Sequence, residues 1–296
     1  MAKSEFDNFI AEDVRKQKGI YMPIKAGMFE RMLKKRISLE KLHANPEDEF
    51  TFPDIGPNYQ IISKYVEDIL TAQYMKREPF EKDPIIVEKM HPHGYLILNG
   101  HHRWAAAVKM KLKKIRVKIT NLASESDIKK ILERSNHDKR ATLDLDEVVF
   151  RSNEDPYLEK ALKFPYSIKN KQRIRLGIPS LFYFLTKSGY DIWVYSSKYY
   201  SIDDIKEYFR CYHVPVTGII TGMEKKSKQT GDTKANIEKL IANKYTVTLH
   251  IDNEMLLRTE KETGEFKEFD IDVPAGEWAQ KVITIIEEME KNEKKI

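Results

Sequence analysis

Hydrophobic and polar positions follow two different periods along the second half of the chain, from residue 141 onward. Short runs rich in apolar residues predict strands at 141–150, 191–195, 216–220 and 245–251. Apolar residues at helical spacing predict helices between these strands, at 179–188, at 202–212 and from Thr233 onward. Strands that alternate with helices along a chain favour an α/β domain built on a parallel sheet.

A smaller pattern of strands and helices precedes this one. It predicts strands at 84–87, 95–98 and 114–119, with helices near 59–72 and at 104–110. Because the first two strands follow each other without a helix, the pattern favours a small mixed α+β domain. The whole chain is therefore expected to be of the α/β class, with two domains.

A polar helix is predicted to connect the two domains, over residues 124–138. Ile128, Ile131 and Leu132 give this helix one apolar stripe, and Ser124 begins a polar first turn. The boundary is accordingly placed near Arg140. The expected domains are residues 1–140 and residues 141–296.

Two carboxylates, Asp144 and Asp146, follow the buried part of the strand predicted at 141–150. Since side chains alternate along a strand, Asp144 and Asp146 are expected on one side of it. Such a pair can share a divalent cation or divide the roles of nucleophile and acid/base. The alternative interpretation is a strand that runs into an acidic turn.

Three later positions add polar groups at the ends of predicted elements. Ser196 follows a strand, Lys234 begins a helix, and Asp252 follows the strand at 245–251. A hydroxyl and an ammonium group can bind phosphoryl oxygens, and a further acid can ligate a metal. Each position alone is also consistent with a helix cap or a solvated surface.

The order of these four motifs resembles the haloacid dehalogenase (HAD) superfamily of phosphohydrolases over residues 141 to about 290. The resemblance implies a Rossmann-like parallel sheet and a phosphatase that acts through an aspartyl-phosphate. It makes Asp144 the nucleophile and Asp146 the general acid and base. It also makes Ser196 and Lys234 the groups that bind the phosphoryl group of the substrate.

The same resemblance implies a Mg²⁺ ion held by Asp144, Asp146, Asp252 and Asn253. Asn253 stands where many members of the superfamily carry a second aspartate. An amide oxygen can still ligate Mg²⁺ or orient its water. The resemblance therefore predicts a magnesium-dependent enzyme.

The spacing of the motifs leaves little room for the cap domain that superfamily members use to enclose small metabolites. Only about thirty residues separate Asp146 from the helix at Pro179, and they include the basic run 169–175. The segment between Ser196 and Lys234 is filled by one helix, one strand and the loop 223–230. We expect no large cap, and hence an open site that suits bulky or polymeric phosphoesters.

The first domain has its own candidate chemistry in the tight turn before the helix at 104–110. This turn contains Gly100, His101, His102 and Arg103. Free backbone N–H groups and the helix dipole at such a turn favour phosphate. The alternatives are a metal site or a merely polar turn, but adjacent histidines on a helix do not share a face.

Residues 30 to 120 resemble the ParB/sulfiredoxin fold, and the turn is closest to the branch that contains free serine kinases. The resemblance implies a bound nucleotide, which would be ATP, ADP or CTP, with Gly100 to Arg103 at its phosphates. It also gives Glu47 or Glu49, which follow Pro46, the place of a glutamate that these kinases use at the nucleotide site. Asn99 stands where the kinases have an acid, and an amide cannot take a proton from a hydroxyl. The superfamily also includes DNA-partitioning CTPases and proteins described as nucleases.

Charge is distributed unevenly between the two expected domains. Residues 1–140 contain 27 Lys and Arg against 20 Asp and Glu, whereas the remainder contains 24 against 26. A basic first half suits phosphate-rich partners such as a phosphorylated nucleotide or a nucleic acid. The single cysteine, Cys211, excludes an internal disulfide. No apolar run is long enough for a membrane span or a signal peptide, so we expect a cytoplasmic protein without a membrane partner.

The sequence thus predicts a Mg²⁺-dependent phosphohydrolase whose ParB-like domain presents a nucleotide, a nucleic-acid end or another bulky phosphoester. One alternative is a bifunctional kinase and phosphatase. Another is a nucleotide- or DNA-binding regulator whose HAD domain is only weakly active. The sequence indicates no oligomeric state.

Overall fold

The computed structural model describes residues 5–17, 19–20, 22–164, 166–169, 172–222 and 232–293. These residues form two compact units, 5–122 and 123–222 with 233–293. The loop expected at 223–230 and residues 170–171 of the basic run lie outside the described residues. Among the described residues, no helix is long and apolar enough to cross a membrane.

The first unit contains a mixed sheet in the order β2-β6-β4-β5-β3, with β1 beside β4. Its strand β4 is parallel to β6 and antiparallel to β5. In chain order the elements are α1 (Glu5–Gln17), β1 (Met22–Pro23), α2 (Met28–Leu33), β2 (Arg36–Ser38), β3 (Leu42–His43), α3 (Tyr59–Tyr74), β4 (Ile85–His91), β5 (Tyr95–Asn99), α4 (His101–Lys109) and β6 (Lys114–Ile119).

The core of the first unit lies between its sheet and helices α3 and α4. Ile85, Val87 and Ile97 of the sheet are fully buried, as are Ile69 of α3 and Trp104 of α4. Trp104 packs against the rings of α1 and of the segment before α3. This packing fixes the N-terminal end of α4 beneath the segment at residues 44–58.

The second unit contains a sheet in the order β11-β10-β7-β12-β13-β14 and a separate pair, β8 with β9. In chain order its elements are α5 (Glu125–Arg134), β7 (Lys139–Asp144), β8 (Phe150–Arg151), α6 (Tyr166–Lys169), β9 (Arg173–Ile174), α7 (Ile178–Lys187), β10 (Tyr190–Ser196), α8 (Ile202–Cys211), β11 (Gly218–Thr221), α9 (Asp232–Lys244), β12 (Val247–Ile251), β13 (Met255–Glu260), β14 (Phe266–Asp270) and α10 (Trp278–Glu293).

The sheet of the second unit is mixed, whereas we expected a parallel one. Strands β11, β10, β7 and β12 are mutually parallel, but β13 and β14 run antiparallel to their neighbours. A parallel connection needs a crossover of a dozen or more residues. The link from β12 to β13 contains only Asp252, Asn253 and Glu254, and the Asp252 N–H donates to the Met255 carbonyl at 2.9 Å. The chain is therefore turned straight back.

Helices pack on both faces of this sheet, where they cover the side chains that alternate along each strand. Ile192 and Val194 of β10 pack in one core with helices α7, α8 and α10. Trp193 lies between them in sequence and packs in a second core with α5 and α9. Because successive side chains point to opposite faces, the two cores lie on opposite sides of the sheet.

Helix α5 belongs to the second unit, although we expected a connector and a boundary near Arg140. Its stripe residues Ile128 and Leu132 are buried in the core that contains Trp193. The units change between residues 122 and 123. An apolar stripe of this kind is buried where it finds a partner surface, and here α5 finds that surface on the sheet.

The amino end of β10 is held by a buried carboxylate, Asp191, which is 5% exposed. It accepts hydrogen bonds from the Tyr245 hydroxyl at 2.7 Å and from the Ser135 hydroxyl, and it contacts His137 Nδ1 at 3.1 Å. These contacts tie the ends of α5 and α9 to the start of β10. They lie at the end of the sheet that is opposite the carboxyl ends of the parallel strands.

Candidate active site

The carboxyl ends of three parallel strands meet at one edge of the sheet in the second unit. Tyr195 pairs with Asp144, and Ile251 pairs with Leu143, so that Ser196 and Asp252 lie beside the end of β7. The chain leaves β7 for β10 on one side of it and reaches β12 on the other. Such a reversal of strand order at the carboxyl edge is where open α/β sheets bind their ligands.

Asp144 ends β7 and caps the π-helical turn that follows it, Leu145–Val149. Its Oδ1 accepts hydrogen bonds from the backbone N–H groups of Asp146 at 2.8 Å and Glu147 at 2.9 Å. We expected the strand to end in both acids, with alternation placing them on one side of it. The strand instead ends at Asp144 and Asp146 lies in the turn, so the cap, not the strand, brings Asp146 beside Asp144.

The Asp146 carboxylate is held by three side chains from the segment that ends β10. Its Oδ2 accepts from the Ser196 hydroxyl at 2.5 Å, and its Oδ1 accepts from Lys198 Nζ at 2.8 Å and the Tyr200 hydroxyl at 2.6 Å. Burial raises the pKa of Asp146, but the hydrogen bonds from Lys198, Ser196 and Tyr200 outweigh it and hold the pKa below its ordinary value. Asp146 is therefore an anion at neutral pH.

Lys198 and Tyr200 were not among the residues that the sequence predicted for the site. Both lie within four residues of Ser196, at the end of a predicted strand, and this position was the available signal. Burial, followed by the hydrogen bond to Asp146, raises the pKa of the Tyr200 hydroxyl. Tyr200 consequently keeps its proton and acts as a donor to Asp146.

Lys234 lies on α9, and its ammonium group reaches the carboxyl end of β11. Its Nζ donates to the Gly222 carbonyl at 2.6 Å and lies 5.8 Å from the centre of the Tyr199 ring. Gly222 directly follows β11, which is beside β10 in the sheet. The expected phosphate-binding lysine is thus anchored at the same edge as Ser196.

Asp252 and Asn253 form the turn after β12. Asp252 Oδ1 accepts from the Asn253 backbone N–H at 2.7 Å. The Asn253 amide oxygen accepts from Arg151 Nη2 at 2.6 Å and from Arg175 Nη1 at 2.8 Å, while its Nδ2 donates to the Glu147 carbonyl at 3.1 Å. Asn253 is therefore a bridge between two arginines and the π-helical turn.

The expected set of four metal ligands is only partly consistent with this geometry. Among the described residues there is no group of three or more His, Cys, Asp or Glu side chains that could hold a metal ion. The Asn253 oxygen faces two cations, and both oxygens of Asp146 accept hydrogen bonds, so neither side chain is placed as a ligand. Asp144 and Asp252, at the ends of neighbouring strands, fit the one or two carboxylates by which Mg²⁺ is commonly held.

A cavity of about 470 Å³ opens beside Asp146. It is lined by Asp146, Glu147, Phe150, Arg151, Ser152, Gln172, Lys198, Tyr200 and Asn253. This volume lies within the range of roughly 300–1,000 Å³ that is typical of small-molecule sites. The lining mixes acids with cations and hydroxyls, and of the residues that the sequence predicted for the site it includes Asp146 and Asn253 but not Asp144, Ser196, Lys234 or Asp252.

In the first unit, Gly100 begins α4 with a φ of 98°, a conformation that favours glycine. A Cβ atom at Gly100 would lie 2.8 Å from Nε and Nη2 of Arg103, which folds back over it. Arg103 is 4% exposed, donates to the Asn99 side-chain oxygen at 2.7 Å and to the Asp83 carbonyl at 2.9 Å, and pairs with the Asp83 carboxylate. Gly100 therefore makes room for a buried arginine.

His101 is buried, and its ring is held by the segment that covers α4. Its Nε2 accepts from the Asn45 backbone N–H at 3.2 Å, and its Nδ1 lies 3.4 Å from Asp48 Oδ2. Phe50 stacks on the ring at 5.3 Å. Burial lowers the pKa of His101 to about 4. His101 is therefore neutral under ordinary conditions.

His102 is half-buried beside the same segment. Its Nε2 accepts from the Asn58 backbone N–H at 3.1 Å, and Phe50 meets its ring edge-on at 5.1 Å. Burial lowers its pKa as well. Asp48 is the acid that faces the histidines, and the Glu47 backbone N–H donates to the Asn45 side chain.

The predicted phosphate turn thus comes together in space, but two of its side chains point inward. His101 and Arg103 are occupied by protein groups, and their role in this arrangement is to fix the turn. The sequence could not distinguish this from phosphate binding, because the covering segment at residues 44–58 is distant in the chain.

A family model matches a stretch that includes this turn and runs on through α5 of the second unit. Residues 74–135 match the family model described as the ParB N-terminal domain. No curated protein matches the chain. A crystal structure of the C-terminally truncated chromosome-partitioning protein ParB from Caulobacter crescentus, complexed with CTP-gamma-S, is similar at 23% identity with a TM-score of 0.24. The similarity covers 35% of this chain and 55% of that one.

A structure of a free serine kinase in complex with AMP is similar at 13% identity with a TM-score of 0.23. That similarity covers 82% of this chain and 92% of the kinase chain. At TM-scores this low, neither structure places a side chain of this protein. The family model does reach the turn, since its matched residues include Gly100 to Arg103. Residues 74–135 therefore carry a ParB-like N-terminal domain.

Proposed function

We propose that the second unit is a HAD-type phosphohydrolase and that the ParB-like domain supplies nucleotide or nucleic-acid recognition. One observation carries the proposal. The strand order β11-β10-β7-β12 gathers the expected groups at a single carboxyl edge: Asp144, Asp146, Ser196, Lys234 and Asp252. An acid pair, a hydroxyl, an ammonium group and a further acid are the groups that phosphoryl transfer through an aspartate needs.

In the proposed reaction, Asp144 attacks the phosphorus atom with Oδ2, since Oδ1 holds the cap of the π-helical turn. A bond forms between Asp144 and phosphorus, the bond from phosphorus to the leaving oxygen breaks, and the leaving oxygen takes a proton. Water then attacks the aspartyl-phosphate, releases inorganic phosphate and restores Asp144.

Asp146 would serve both steps through one proton. As an anion it suits the second step, in which it accepts a proton from the attacking water. For the first step it must already carry that proton and give it to the leaving oxygen. The hydrogen bonds from Lys198 and Tyr200 oppose this protonation, so the first step should be favoured at lower pH.

Lys234 would bind the phosphoryl oxygens, since it retains N–H donors beyond the one given to Gly222. Ser196 would bind them only by turning its hydroxyl proton from Asp146 to the substrate, because its one O–H donates to Asp146 and its oxygen accepts from the Lys198 backbone N–H. Asp144 and Asp252 would hold Mg²⁺, which when bound neutralises charge on the phosphoryl oxygens. Asn253 is left out of this set because two arginines occupy its oxygen.

Nucleotide-phosphate binding by the first unit is supported by the ParB-like match over the turn that contains Gly100. Since His101 and Arg103 are buried, the half-buried His102 would be the side chain of this turn that meets a ligand such as ATP, ADP or CTP. The substrate of the second unit would then be a phosphorylated nucleotide, a nucleic-acid end or another bulky phosphoester.

The proposal is tested by release of phosphate from an aryl phosphate, with and without Mg²⁺. Asp144→Asn should abolish Mg²⁺-dependent release, because the amide is not a nucleophile. Asp68→Asn is the matched control, since Asp68 is exposed on α3 of the first unit and lies outside the strand ends that carry the site. Residual activity within about tenfold of the parent, or ~1.4 kcal/mol of barrier, would show that Asp144 is not the nucleophile.

A further inference from the structure

Two guanidinium groups converge on one neutral oxygen at the rim of the cavity beside Asp146. Arg151 Nη2 and Arg175 Nη1 donate to the Asn253 amide oxygen at 2.6 and 2.8 Å. Arg151 and Asn253 both line the cavity. Two positive charges are therefore held together by an acceptor that carries no net charge.

Neither arginine forms an ion pair in the described part of the chain. Arg175 is 4% exposed, with its guanidinium 3.9 Å from the centre of the Trp278 ring. Burial and then the charge of Arg151 lower the pKa of Arg175 to about 10, while the charge of Asp155 acts in the opposite direction.

Arg151 also has a donor that no group in the described part of the chain accepts. This donor is its Nε, which is buried. A buried charged donor without an acceptor is unfavourable, and an oxyanion is the group that guanidinium geometry matches best. Ser152, Gln172 and Lys198 add further polar groups to the same cavity wall.

We infer that Arg151, backed by Arg175 and oriented by Asn253, binds a second phosphate group of the substrate. The inference rests on the proposed function and narrows it to phosphomonoesters that carry another phosphate on the same molecule. A small bisphosphate and the phosphorylated end of an oligonucleotide share this chemistry. In both, one phosphate occupies the Asp144 site and the other pairs with Arg151.

The test compares turnover of matched substrates by the full chain. We expect the parent to process glucose 1,6-bisphosphate with a kcat/KM at least about tenfold above that for glucose 6-phosphate, and Arg151→Gln to remove most of that preference. A 5′-phosphorylated dinucleotide, compared with the nucleoside monophosphate, distinguishes an oligonucleotide end from a small bisphosphate as the source of the second phosphate. A preference that Arg151→Gln leaves intact would overturn the inference.

Two further variants separate charge from structure. Arg151→Lys keeps the charge but loses the planar guanidinium group with its paired N–H donors. It should retain part of the preference for the bisphosphate even if Arg151→Gln folds poorly. Arg210→Gln is the matched control, because Arg210 is exposed on α8 and does not line the cavity. Equal loss of preference in Arg210→Gln would also overturn the assignment.

A binding measurement keeps this inference distinct from the proposed function. Calorimetry on the full chain should show inorganic pyrophosphate binding more tightly than inorganic phosphate, with the difference reduced by about tenfold in Arg151→Gln. If no phosphoester is hydrolysed but this difference holds, the anion site stands and the phosphatase proposal fails. If pyrophosphate and phosphate bind alike and Arg151→Gln changes neither, the anion site is refuted.

Discussion

Asp146 illustrates how single residues set the chemistry of the candidate site. Its charge is fixed by Lys198, Ser196 and Tyr200, all of which come from one short segment after β10. The same contacts that make it a ready proton acceptor make it a reluctant proton donor. The balance between the two proposed steps should therefore respond to any change in these contacts.

Replacing Lys198 by methionine should raise the pKa of Asp146, because a cation and a hydrogen bond to the ionised form are lost. If protonated Asp146 drives the first step, activity falls as pH rises through the pKa of Asp146. The falling limb of the pH–activity profile should therefore move to higher pH in Lys198→Met. Single-turnover pH profiles with an aryl phosphate measure this limb. Lys187→Met, at an exposed position on α7, is the control, and an unmoved limb in Lys198→Met would exclude Asp146 as the acid.

His101 should make the stability of the first unit depend on pH. Its folded pKa of about 4 lies below the ordinary value of 6.5, so the unfolded chain takes up a proton first as pH falls. The contribution of neutral His101 to the free energy of unfolding is complete above pH 6.5. It should fall by about 3 kcal/mol as the pH approaches 4. Hydrogen exchange of the α4 amides at pH 7 and pH 5 measures this loss.

His101→Gln is the matched variant for that measurement, because its amide oxygen can still accept from the Asn45 N–H. It does not titrate, so protection of α4 should depend less on pH than in the parent. The same pH dependence in both chains would show that His101 is not responsible.

At the scale of elements, the segment after β7 shows what the sequence could and could not predict. Residues 145–150 contain three consecutive apolar side chains, Val148, Val149 and Phe150, and read as strand. The structure ends the strand at Asp144, because its carboxylate competes for the backbone N–H groups that a strand would use. A local side-chain contact thus overrides the apolar pattern.

Elements with plain patterns were predicted closely. Strand β6 covers the predicted residues 114–119, and α8 ends one residue before the predicted limit. The antiparallel strands β13 and β14 were not predicted. Most of β14 is exposed, so burial imposes no apolar alternation on its sequence.

Helix α5 offers a direct test of the boundary between the units. Ser124 and Asp127 form a capping box, in which Ser124 Oγ accepts from the Asp127 N–H. Ser124→Ala should cost about 1 kcal/mol. Because Ile128 and Leu132 pack in the second unit, the loss should appear as a lower urea midpoint for the tryptophans of that unit.

Lys130→Ala is the control for that experiment, since Lys130 is exposed on the same helix and lies outside the capping box. It should change the midpoint little. If Ser124→Ala instead affects only the first unit, α5 belongs to residues 1–122 and the assignment of the boundary is wrong.

At the scale of the whole molecule, the charge of the first half should govern the choice of substrate. Residues 1–140 carry the excess of Lys and Arg. If they recruit a polyanion, turnover of a phosphorylated oligonucleotide should fall steeply as salt is added, whereas turnover of an aryl phosphate should hardly change. Parallel titrations of both substrates with NaCl measure this.

Equal salt dependence for the two substrates would show that residues 1–140 do not select the substrate.

We also expect no transfer of phosphate from ATP or ADP to free serine, because the Asn99 side-chain oxygen accepts from Arg103 and cannot take a proton. Measurable serine phosphorylation would favour the bifunctional alternative.

The order of motifs along the chain, and hence the gathering of Asp144, Ser196 and Asp252, could be anticipated from the sequence. Parallel strands bring their carboxyl ends together whatever their loops contain. The pairing of Asn253 with two arginines could not be anticipated. Arg151 lies in β8 and Arg175 follows β9, and strands of two residues leave no recognisable pattern in the sequence.

The buried Asp191 lies at the opposite end of β10 from Ser196, and this separation has an evolutionary consequence. The start of the strand holds the fold through Tyr245 and Ser135, whereas the residues that follow its other end, Lys198 and Tyr200, line the cavity. Substitutions at the cavity end can alter specificity while the anchoring network is left intact. A lineage could thus change its substrate repeatedly on the same scaffold, with little need for compensating changes in the core.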